Sequence, residues 1–200
     1  MRVLAAIATM TVLGASVISC SDPVPPTPQG AVSFHFTNSL NQACAVSQFD
    51  SAIGAVNGAT KTSVEDGANG NQVKCSVTPS GGSFSVVATI SGNDPTLKGT
   101  TTLSIQTNAP IAPGGEADAT VNVATDATKT SYFSTVDKPC KISLKQETDE
   151  KGLAVTDGRI WAKFMCESLV EKNAGSTCAI RGRENTLSWG GYFVFENCEQ

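Results

Sequence analysis

The seven cysteines carry most of the reactive chemistry available to this chain. Six of them, Cys44, Cys75, Cys140, Cys166, Cys178 and Cys198, contain no Cys-x-x-C pair, and the single histidine, His35, stands in a separate segment. Zinc centres and dithiol redox centres need closely spaced thiols, usually with imidazole nearby. Three disulfides formed in an oxidising compartment are the economical expectation instead. Cys44 with Cys75 is a natural N-terminal pair. The last four join either as Cys140–Cys166 and Cys178–Cys198, or as Cys166–Cys178 and Cys140–Cys198. Each bridge contributes about 2–4 kcal/mol, mainly by restricting the unfolded chain.

Other catalytic chemistry finds little support. A Ser-His-Asp or Cys-His mechanism would have to be built around His35, which falls on the polar phase of its segment and reads as a surface residue. The Gly-x-Ser-x-Gly turn that presents a nucleophilic serine is missing, as are phosphate-cradling glycine motifs. Glu65-Asp66-Gly67 and Asp149-Glu150-Lys151-Gly152 read as solvated turns rather than as a facing carboxylate pair. Asp66-Gly67-Ala68-Asn69-Gly70-Asn71 lacks the ligand spacing and distal Glu of a calcium loop. The expectation is therefore a non-enzymatic chain with no metal and no cofactor. Trp161, Trp189 and Tyr192 are the candidate ligand-stacking residues, because exposed rings of this kind form platforms for sugars, although core packing is the commoner use.

Cys20 belongs to a different pattern. Arg2, the apolar run from Val3 to Val17 and the sequence Val17-Ile18-Ser19-Cys20 resemble a bacterial lipoprotein signal peptide ending in a lipobox. The apolar core is too short to span a bilayer comfortably, which fits a cleaved signal better than an anchor helix. The resemblance implies that residues 1–19 are removed and that Cys20 becomes the acylated first residue, tethering the protein to a lipid bilayer. Several acyl chains on one residue suffice for stable anchoring where a single chain does not. Ser21, rather than Asp, follows the cysteine, which by the same resemblance favours the outer membrane; Asp22 stands one position later.

Residues 20–30 then hold four of the nine prolines and no apolar periodicity. In extended polyproline form, at about 3.1 Å per residue, such a tether holds a domain roughly 30 Å from the lipid. Residues 31–200 remain for the domain, enough to bury roughly 70 per cent of the unfolded chain's surface. A composition change near residue 126 leaves room for a subdivision. Charged residues are 16%, the formal net charge is −4, and Lys and Arg are scattered. The basic footprint of a nucleic-acid binder is lacking.

The elements that must position these side chains are strands. Val32, Phe34 and Phe36 alternate with Ser33, His35 and Thr37, and the same period of two recurs at Val73–Val77, Phe84–Ile90, Thr100–Thr107, Ala117–Val123, Cys140–Leu144, Ile160–Cys166 and Tyr192–Phe195. Ser80-Gly81-Gly82, Gly92-Asn93-Asp94-Pro95 and Pro113-Gly114-Gly115 supply the reversals between strands. Ser39–Ala52 and Glu167–Asn173 are the only short helix candidates, and neither carries caps with a sustained apolar stripe. The pattern predicts an all-β chain, an antiparallel β-sandwich stapled by disulfides. Its expected role is binding or structural, with an envelope protein or a glycan as partner; a surface hydrolase or carbohydrate-binding accessory is the alternative.

Overall fold

The structure is a computed structural model that describes residues 25–39, 44–46, 48–182 and 189–200. Residues 1–19, Cys20 and the first part of the tether lie outside the described residues. The chain forms an antiparallel β-sandwich held by three disulfides, with its strands in the order β1 (Gln29–Asn38), β2 (Phe49–Ile53), β3 (Ala55–Val56), β4 (Lys61–Thr62), β5 (Val64–Glu65), β6 (Gln72–Ser80), β7 (Ser83–Asp94), β8 (Gly99–Thr107), β9 (Glu116–Thr125), β10 (Thr130–Phe133), β11 (Cys140–Ser143), β12 (Ala154–Thr156), β13 (Arg159–Glu171), β14 (Thr177–Ile180) and β15 (Gly191–Glu196).

Thirteen of these strands share one sheet, and β3–β4 is a separate hairpin. Strands β6 to β9 form a four-strand meander in which every pairing is antiparallel. The sheet continues through β13 to β1 and folds over, so that β1 and β2 pack against β7 and β8. Thr125 of β9 pairs with Thr130 of β10 across the composition change near residue 126, and both flanks of that change feed one sheet.

The alternation read from the sequence explains the core. Val32, Phe34 and Phe36 of β1 meet Val73 and Val77 of β6, Val86, Ala88 and Ile90 of β7, and Phe164, Phe193 and Phe195 in one buried cluster. Phe36 stacks on Phe49 at 5.0 Å between ring centres and takes the edge of Tyr132 at 5.0 Å. Aromatic pairs of this geometry add about 0.5–1.5 kcal/mol each beyond the area they bury.

Two lanes of the sheet each hold a pair of strands end to end. β10 and β11 lie in succession between β9 and β13. β14 and β15 lie in succession between β13 and β1. In the second lane the chain leaves after Ile180 and returns at Gly191, with a bridge between Arg181 and Trp189 across the gap.

Four expectations are corrected. Cys44 does not bond Cys75: the bridges are Cys44–Cys178, Cys75–Cys198 and Cys140–Cys166. Asn38, paired with Cys178 across β1 and β14, also accepts the Cys44 N–H on its side-chain oxygen at 3.0 Å, which folds residue 44 back onto β14. The helix candidate Glu167–Asn173 instead forms the end of β13 as far as Glu171, held between β10 and β14 with a bulge between Cys166 and Leu169, and then a turn at Lys172 and Asn173. The described part of Ser39–Ala52 contains strand β2 and no helix. Gly92, Asn93 and Asp94 continue β7, and the reversal comes after them. Asp94 is fully buried there and accepts hydrogen bonds from Ser51 Oγ at 2.5 Å, Ala52 N at 3.0 Å, Thr96 N at 2.8 Å and Leu97 N at 3.1 Å.

Candidate functional site

The interruption between β14 and β15 opens a cleft on the outer face of the sheet. Backbone bonds hold its margins: His35 N donates to the Gly190 carbonyl at 2.8 Å, and Arg181 N donates to the His35 carbonyl at 3.3 Å. Glycine is required on the returning side. A Cβ on Gly190 would sit 2.1 Å from the Arg181 nitrogen, and one on Gly191 would sit 2.3 Å from the Phe164 ring. The cleft has a volume of about 380 Å³ and is lined by Ser33, His35, Asp50, Trp189 and Tyr192 together with backbone at the glycines.

His35 holds Asp50, with Nδ1 at 2.9 Å from Asp50 Oδ1. A carboxylate can only accept, so Nδ1 carries the proton. The imidazole is 14% exposed rather than the surface residue the sequence suggests. Its Nε2 is buried and makes no hydrogen bond in the structure. The bond joins β1 to β2 at the register pair His35–Asp50.

Beneath the cleft lies a charged cluster that the sequence concealed. Lys163 of β13 is 1% exposed, and its ammonium donates to Glu147 Oε1 at 2.7 Å and Glu150 Oε2 at 2.8 Å. The Tyr192 hydroxyl donates to Glu150 Oε1 at 2.7 Å, and Glu147 N donates to Glu150 Oε2 at 2.8 Å. Burial works to lower the pKa of Lys163, but the hydrogen bonds and charges of Glu147 and Glu150 outweigh it and the ammonium titrates above its ordinary range. Burial likewise works to raise the pKa of Glu150, and the bonds from Lys163, Tyr192 and the Glu147 backbone overcome it, so the carboxyl titrates below its usual range. Burial, then the hydrogen bond and charge of Glu150, push Tyr192 well above the normal phenol range. Lys163 therefore stays protonated and Glu150 ionised near neutrality. Neither offers a free base or nucleophile. The turn Asp149-Glu150-Lys151-Gly152, read as solvated, in fact buries Glu150.

The three candidate aromatics separate. Trp189 and Tyr192 line the cleft, and the Lys163 ammonium lies 5.4 Å from the centre of the Trp189 ring. Trp161 belongs instead to a closed patch with Ala31, Val56, Leu153 and Val194. It is 5% exposed, and its indole N–H donates to the Asn57 carbonyl at 2.9 Å. Lys61 covers its ring at 5.7 Å.

Among the described residues the cleft carries one carboxylate, Asp50, where a glycosidase needs two facing each other. No group of three or more His, Cys, Asp or Glu among the described residues is placed to hold a metal ion. The six domain cysteines pair with one another, leaving Cys20 as the one cysteine of the chain outside these bridges. No helix among the described residues is long and apolar enough to cross a membrane. No protein-family model matches this sequence, and no curated protein or solved structure matches the chain.

Proposed function

We propose that this chain is a cell-envelope lipoprotein, anchored through acylated Cys20 and displaying a non-enzymatic β-sandwich for binding or structural work, with the outer membrane as its address. The observation that carries the reading is the lipobox-like Val17-Ile18-Ser19-Cys20 followed by a proline-rich tether, in a chain whose other six cysteines are consumed by disulfides. Cys20 is left for a different chemistry, and an acylated N-terminus supplies stable membrane attachment. Membrane fractionation tests it. The native chain stays in the membrane pellet through high salt and is released by detergent, whereas Cys20→Ala appears in the soluble fraction. A Cys20→Ala chain that still sediments with membranes would refute the anchor.

The cleft favours a second reading, a carbohydrate-binding accessory role. Trp189 and Tyr192 share one opening with Asp50 and His35, a combination of apolar ring and hydrogen-bonding groups suited to a neutral sugar. Retention on insoluble neutral polysaccharide should be lost in Trp189→Ala. Retention that survives this substitution, or its absence from the native chain, would exclude the cleft as a sugar site.

A further inference from the structure

The last residues of the chain cross from one layer of the sandwich to the edge of the other. β15 ends at Glu196, Asn197 turns with φ 56°, and Cys198 is bonded to Cys75 in β6. Glu199 donates its N–H to the Cys75 carbonyl at 2.9 Å and accepts the Val77 N–H at 2.9 Å. This is a parallel strand register centred on Ser76. Two further bonds seat the tail: Cys198 N donates to the Gly158 carbonyl at 2.9 Å, and the Asn197 side-chain amide donates to the Thr27 carbonyl at 3.0 Å.

The strand beneath this tail is the last of the meander. β6 pairs with β7 along its whole length, from Gln72–Ser91 to Ser80–Ser83. Its other edge is closed piece by piece. Asp66 Oδ1 accepts the Val73 N–H at 2.7 Å, Glu199 takes Cys75 and Val77, and Pro79 has no N–H to offer. An uncovered edge of this length pairs readily with another strand, and native proteins block such edges with turns, prolines and covering segments.

We infer that the tail from Asn197 to Gln200 is an edge guard. It occupies a strand-addition surface on β6 that, once vacated, accepts β6 of a second copy in an antiparallel two-fold pair. The edge already takes an extended peptide in the form of Glu199, so strand addition is the chemistry it supports. The second copy fits because Cys75 and Val77, the positions that Glu199 covers, face each other across the two-fold axis without a clash of charge. Lys74 is the only charged residue in Gln72–Ser80, and in a pair centred on Ser76 it falls opposite Thr78 of the other copy. Two-fold pairing of one patch with itself is the commonest closed assembly. The inference does not depend on lipid anchoring or on the cleft.

The test is the oligomeric state of the full chain in detergent, read by sedimentation with the detergent mass matched out. Deleting residues 198–200 together with Cys75→Ser is expected to double the protein mass relative to the native chain. Adding Thr78→Lys, which sets two lysines opposite each other across the two-fold axis, is expected to restore the monomer. A folded deletion variant that stays monomeric throughout the micromolar range overturns the inference, as does a dimer that ignores Thr78→Lys. Should the deletion fail to fold, Cys75→Ser with Cys198→Ser and Glu199→Pro keeps the tail's length while removing the disulfide and the N–H donor to Cys75. A mass increase is then expected, and a folded variant that stays monomeric contradicts the guard.

Discussion

Lys163 and Glu150 meet 2.8 Å apart beneath the outer face of the sheet, both buried. A buried pair of this kind adds little over an apolar replacement of both partners, but removing one partner strands the other charge. Lys163→Met should destabilise the fold by about 3–5 kcal/mol, and Lys163→Met with Glu150→Gln should recover most of the loss. Urea unfolding of the oxidised protein measures both. A single variant within about 1 kcal/mol of the native chain would mean that water reaches the cluster, since only exposed pairs are worth so little.

The same cluster sets the pH limits of stability. Glu150 titrates in the folded state below the ordinary carboxyl range, so its contribution is present above that range and is lost as pH falls through the folded pKa. Lys163 titrates above the ordinary lysine range and Tyr192 above the ordinary phenol range, so their contributions are complete below those ranges and are lost as pH rises through the folded pKa values. Thermal melts should therefore show a plateau between these limits with a decline on each side. Glu150→Gln should flatten the acid decline, and an acid limb of unchanged slope would assign it to other carboxylates.

The bridges should differ in worth. Cys75–Cys198 closes a separation of 123 residues, and Cys140–Cys166 closes one of 26. Loop entropy then assigns about 5 kcal/mol to the first and about 3.5 kcal/mol to the second. Double serine variants compared by denaturant midpoint should rank in that order. The reverse ranking would show that the unfolded chain already keeps the ends of the sandwich together.

The strand alternation was legible because it is local. Val32, Phe34 and Phe36 announce a half-buried strand, and all three enter the core. Trp161 and Lys163 announce the opposite face by the same period. What covers that face was not legible, because Asn57, which bonds Trp161, lies 104 residues away, and Glu150, 13 residues from Lys163, reads as part of a turn. Cys140–Cys166 was among the pairings left open by the sequence and forms, but the expected Cys44–Cys75 pair failed for the same reason. Cys44 is nearer in sequence to Cys75, but β14 lies beside β1 in space and brings Cys178 to it. The weak helix signal at Glu167–Asn173 lost to pairing with β10 and β14, where strand neighbours on both sides outweigh local preference. Of the candidate site, Trp189 and Tyr192 could be named from residue type alone; their separation from Trp161 required the closed patch around Val56 and Leu153.

The intact mass of the protein taken from its native membrane, before and after reduction and with mapping of the N-terminal peptide, decides whether Cys20 is the anchor. The expected result is a chain beginning at Cys20 with two or three acyl groups on that residue, and a gain of six hydrogens when its three disulfides are reduced. A chain carrying an unmodified Cys20 thiol would contradict it: the lipid anchor would be gone, and a free cysteine would remain in an otherwise fully bridged protein.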